Sequence, residues 1–96
     1  YPPIVSMVNV VVRGRTFDEA MAGAAELAGL VRSERGFRVL GPAAAPIVRL
    51  RGQHRAQIFL KGHQRQPMRK ALQAALDKRP ELKRRVTIDV DPLTVL

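Results

Sequence analysis

The chain has 96 residues, of which 46% are apolar, and 17 Lys/Arg against 8 Asp/Glu give a formal net charge of +9. That apolar share belongs to a folded protein rather than a disordered tail, and the length suits a single domain, residues 1–96, with no room for a second core. The absence of cysteine excludes a disulfide scaffold, cysteine-ligated zinc and a thiol nucleophile, and no apolar run is long enough to span a membrane.

After Tyr1-Pro2-Pro3, Ile4 to Val12 is a β-branched run that is apolar at both parities. It predicts a central strand covered on both sides or partly so. Arg13-Gly14-Arg15 turns the chain, and Thr16 with Glu19 forms a capping-box pattern that starts a helix. Phe17, Met21, Ala24, Ala28 and Val31 make one apolar stripe on it, with Gly36 as its terminating cap.

Phe37 to Leu40 begins a second strand. Gly41 to Pro46 is expected to interrupt it, since proline donates no ladder hydrogen bond, and Ile47 to Arg51 resumes it. Gly52-Gln53-His54 is read as a tight hairpin connection, and Arg55 to Lys61 as the returning strand. A second helix is predicted over Pro67 to Lys78, with Met68, Ala71, Leu72, Ala75 and Leu76 as its buried stripe and Pro80 as its stop. Val86 to Val90 is the last strand, terminated by Pro92. The order β-α-β-β-α-β is that of an α+β, split-βαβ, ferredoxin-like sheet with two helices on one face. The other face is left open to solvent or to a partner.

The charge is unevenly placed. Residues 1–48 hold five Arg against four acids, whereas residues 49–96 hold twelve Lys/Arg against four. Concentration of this kind builds a face for a polyanion. By strand parity, the hairpin is expected to present Arg49, Arg51, Arg55 and Lys61 together, with Gln57 and Phe59 between them. Like charges across a ladder repel unless an anion occupies them, and the guanidinium fork matches phosphate oxygens in pairs. Phe59 stands alone as a strand aromatic, which favours backbone contact over base reading. Arg65 and Arg69, four apart at the start of the second helix, make a second fork for a phosphate or a carboxylate tail.

Catalytic equipment is lacking. No Gly-x-x-x-x-Gly-Lys-Ser/Thr loop is present. Acylphosphatases bind phosphate after the first strand of this fold, but here Thr16-Phe17-Asp18-Glu19 follows Gly14-Arg15, and the only asparagine, Asn9, is mid-strand. Asp89 and Asp91 share a strand face with no third ligand beside them, and a structural role pairing with arginines is expected. His54 and His63 are not in metal-ligand spacing. No catalytic residue, metal or cofactor is expected in this chain.

Gly41-Pro42, Pro46, Arg49-Leu50-Arg51-Gly52 and Arg55-x-Gln57-Ile58-x-Leu60-Lys61 resemble the C-terminal domain of the primosomal protein N′ (PriA) family, the bacterial replication-restart DNA helicases. Tyr1-Pro2-Pro3 and Asp89-Val90-Asp91-Pro92-Leu93 resemble that family's flanking motifs, so the likeness spans the chain. The resemblance implies an S10-like fold, contact with branched fork DNA, packing on a helicase core, and a cytoplasmic place at the nucleoid. ATP, magnesium and zinc would serve the parent's motor and cysteine-rich insertion, which are absent here. It also implies a partner in the acidic C-terminal tail of single-stranded DNA-binding protein, with Arg65 and Arg69 at the matching helix start. The alternative is a stand-alone S10-like RNA-binding or scaffold module.

Overall fold

Valine-rich β1, Ile4–Gly14, runs through the middle of a four-stranded antiparallel sheet ordered β2-β3-β1-β4. This computed structural model describes residues 4–32 and 35–95, with side chains over 5–32 and 35–89. Tyr1-Pro2-Pro3 and the side chain of Asp91 lie outside that description. The remaining elements are α1 (Phe17–Arg32), β2 (Arg38–Leu50), β3 (Gln53–Gly62), α2 (Arg65–Lys78), α3 (Pro80–Lys83) and β4 (Val86–Val95). The architecture is the α+β, split-βαβ arrangement.

Alternation along the two central strands makes the core. Val8, Val10 and Val12 of β1 and Ala56, Ile58 and Leu60 of β3 are fully buried under the helices. Ala24, Leu27, Ala28 and Val31 of α1, and Met68, Ala71, Leu72, Ala75 and Leu76 of α2, close over them. Each such large apolar side chain contributes about 1.5–3 kcal/mol by leaving water. The Glu19 amide donates to Thr16 Oγ1 at 3.1 Å, which is one half of the capping box. Glu19 Oε1 turns instead to the Arg15 amide and the Arg85 guanidinium.

Several boundaries differ from expectation, and for related reasons. β2 is not interrupted between Gly41 and Pro46. It runs through both prolines, with register shifts between Leu40 and Ala43 and between Ala44 and Arg49. β4 likewise continues past Pro92 to Val95. Both are outer strands, where a missing donor can face away from the ladder. Pro80 ends α2 but also opens α3, since the first helical turn needs no donor there. The described part of α1 closes at Arg32, and Gly36 has φ +101°.

Candidate nucleic-acid interface

The position of one turn decides which basic residues meet. The β2–β3 connection is Arg51-Gly52, with φ of +54° and +79°. Two positive φ values in a two-residue loop match the right-handed twist of the flanking strands. Leu50 therefore pairs with Gln53 and Arg49 with His54. A connection over residues 52–54 would have paired Arg51 with Arg55 instead, and a shift of that kind moves side chains to the other face. His54 shares a face with Ala56, which lies under the helices. The expected quartet is thus divided. Arg49 is on the helix side at the hairpin tip, Arg51 is in the turn itself, and only Arg55 and Lys61 remain together on the open face.

Two further residues join that pair. Arg13 of β1 stands directly across from Arg55, and Arg38 of β2 directly across from Lys61. Sequence parity within the hairpin could not find them, because Arg13 and Arg38 come from elements that are neighbours only after β3 inserts between β1 and β2. The Arg13 guanidinium donates to the Thr87 hydroxyl and to the Arg84 carbonyl, the latter at 3.0 Å. Arg55 Nη1 donates to the Ile47 carbonyl at 3.2 Å. These acceptors are neutral, so they orient the guanidinium groups without cancelling their charge. The side chains of Arg38 and Lys61 make no hydrogen bond or ion pair among the described residues. The ion pairs that are described, Arg79–Glu26, Lys83–Asp77 and Arg85–Glu19, involve none of these four side chains, although Arg85 Nη1 also donates to the Arg13 carbonyl at 3.0 Å.

Between the two cation pairs, Phe59 is half-buried, with Asn9 and Leu40 directly across from it on either side. Gln57 lies between Val11 and Ala43. Asn9 Oδ1 and Gln57 Oε1 are both shielded from solvent and accept no hydrogen bond. Asp89, across from Asn9 on outer strand β4, is exposed and pairs with no arginine among the described residues, contrary to the structural role expected of it.

Arg65 and Arg69 are exposed in the first turns of α2. The helix-start residue Gln64 makes no side-chain cap hydrogen bond. Arg69 borders an open groove of about 420 Å³ between α2, α3 and β4, floored by Leu72, Leu76, Val86 and Ile88, with Lys83 on its rim; Arg65 does not line it. Lys83 is anchored by Asp77, whose carboxyl it holds below the ordinary range, chiefly through a hydrogen bond, with Gln73 assisting. Among the described residues no three His, Asp or Glu side chains gather to hold a metal ion. Among the described residues no helix is long and apolar enough to cross a membrane.

The sequence matches the family described as "Primosomal protein N C-terminal domain" over residues 1–93. It is 32% identical over 97 residues to the replication restart protein PriA of Haemophilus influenzae, covering 95% of this chain and 13% of that protein's length. Among solved structures, the de novo designed protein Foldit4 superposes with a TM-score of 0.63 at 11% identity, covering 96% of this chain and 98% of its own. A point mutant of SnoaB, a cofactor-independent oxygenase from Streptomyces nogalater, superposes at 0.58 with 18% identity, covering 97% and 92%. These structural likenesses, at such identities, speak to the fold alone.

Proposed function

The chain belongs to the primosomal protein N C-terminal domain family, and from that premise we propose that it is the DNA-binding C-terminal domain of a replication-restart helicase. It holds fork DNA by its phosphates and performs no chemistry itself; ATP, magnesium and zinc would serve other parts of the parent. The observation that carries the reading is the pair of opposed cations at each end of β3, Arg13 with Arg55 and Arg38 with Lys61, none with a carboxylate partner among the described residues. Such pairs are destabilising in isolation and favourable once an anion bridges them. Arg49 and Arg51 at the hairpin tip add phosphate contacts beyond the end of the sheet. Ile47, Val48 and Leu50, exposed at 55%, 40% and 47%, form an apolar strip suited to packing on the helicase core. Replacing Arg55 and Lys61 by Glu should lower fork DNA affinity about tenfold or more at moderate salt, with the circular dichroism spectrum unchanged. Equal binding by that variant would refute the reading.

The groove beside Arg69 favours a second contact. We propose that it takes the acidic C-terminal tail of single-stranded DNA-binding protein, with an aromatic end on Leu72, Leu76 and Ile88 and carboxylates on Arg65 and Arg69. Arg65→Glu with Arg69→Glu should abolish capture of a tail peptide while fork DNA binding stays within about twofold, since the phosphate contacts lie on another face. Unchanged peptide binding would leave this helix a solvated surface.

A further inference from the structure

We propose that the open face of the sheet is a track for single-stranded DNA, in which Phe59 stacks one base and the cation pairs Arg13–Arg55 and Arg38–Lys61 hold phosphates on either side. The inference rests on the DNA-binding reading above and names the form of DNA and the residues that grip it.

Geometry argues for this first. Arg55 and Lys61 lie six residues apart on one strand, which places the two cation pairs about 20 Å from each other. That distance covers about six phosphates at the duplex spacing of about 3.4 Å per strand, and fewer on an extended strand. Phe59 lies between the pairs, four residues from Arg55 and two from Lys61, on the same face. A positive path interrupted by an aromatic is the arrangement by which proteins hold single strands without demanding a sequence.

The sheet also selects against duplex. A major groove about 12 Å wide admits a helix or a two-stranded ribbon, whereas this face belongs to four strands. Stacking on Phe59 needs a base whose face is free, which only an unpaired strand offers. Beside it, Asn9 and Gln57 each carry an amide oxygen with no partner. Turned outward, either amide can pair with a base edge and gain the hydrogen bond it now lacks. The path is bounded on one side: Asp89 on β4 places an exposed carboxylate across from Asn9, which repels phosphate and confines the strand to the β1–β3–β2 side.

The chain contains no tryptophan, so Phe59→Trp makes a single indole reporter at the stacking position. Its emission should be quenched by an oligothymidylate of about eight nucleotides and left unchanged by a duplex of similar length. Phe59→Ala should weaken single-strand binding about tenfold, leaving duplex binding within about twofold. Phe59→Leu, which keeps apolar packing but not the stacking plane, should lose as much. Arg49→Ala with Arg51→Ala should lower single- and double-strand binding alike. If wild type binds single strands yet Phe59→Ala and Phe59→Leu bind equally well and Phe59→Trp is not quenched, the track is wrong while the DNA-binding reading stands. If wild type binds no DNA of any form, both fall together.

Discussion

Arg13 stands directly opposite Arg55 across the two central strands, and neither guanidinium is paired with a carboxylate among the described residues. Like charges so placed reduce stability by about 0.2–1 kcal/mol. Arg55→Gln should therefore raise the urea midpoint at low ionic strength and lose this advantage as salt screens the pair. The same variant should bind DNA less well. A midpoint lower than wild type at low salt would show that the hydrogen bond to Ile47 outweighs the repulsion.

The turn that sets the hairpin's faces makes its own prediction. Arg51 adopts φ +54° and Gly52 φ +79°. Gly52→Val should cost about 1–3 kcal/mol, because a β-branched side chain is strained there. Arg51→Asn should be neutral or stabilising in chemical denaturation, since asparagine tolerates this conformation. If both behave alike, the two-residue turn is misassigned.

Two glycines should respond in opposite directions to alanine. At Gly14 a Cβ would sit 2.6 Å from the Ala20 amide nitrogen, where the end of β1 meets the start of α1. Backbone cannot step aside as a side-chain end can, so Gly14→Ala should destabilise by about 1–3 kcal/mol. Gly29, exposed within α1, has nothing within 4 Å of its added Cβ. Gly29→Ala should stabilise by about 0.5–1 kcal/mol through helix propensity. Comparison of thermal midpoints checks both.

Acid should release the α2–α3 link. Lys83 foremost, then Gln73, hold the Asp77 carboxyl below its ordinary range in the folded chain, against a smaller opposing effect of burial. A depressed folded value means that the contribution is complete at pH above the unfolded carboxylate value and disappears as pH falls through the folded one. Asp77→Asn should thus be less stable than wild type at neutral pH and equal to it in strong acid. A difference that persists unchanged into acid would show that Asp77 acts by something other than its charge.

Periodicity revealed much of this molecule. The stripe Met68, Ala71, Leu72, Ala75, Leu76 is buried as its spacing requires, and β1 is central, as its apolar residues at both parities lead one to expect. The hairpin was harder to read, because Arg51 at positive φ carries none of the Asn-Gly signal that normally marks such a turn. A turn over residues 52–54 would set Arg49 and Arg51 on the face of Arg55, whereas the turn at Arg51-Gly52 does not. Proline stops a strand only where its missing donor would face the ladder: Pro42, Pro46 and Pro92 all lie within outer strands, and which strands are outermost is a property of the whole sheet. For the same reason Arg13 and Arg38 escaped notice, since only the pairing of β3 with both β1 and β2 brings them to Arg55 and Lys61.

The most direct test of the account is the salt dependence of fork DNA binding by this chain. Four cations on the open face with Arg49 and Arg51 at the hairpin tip, each contributing about 0.7–0.9 to the slope of log K against log salt, predict a slope of about −4 to −5, indifferent to base sequence. Arg38→Ala with Lys61→Ala should bring it to about two thirds of that value. A flat dependence in wild type, or affinity that rises and falls with the sequence of the DNA, would contradict a phosphate-holding face.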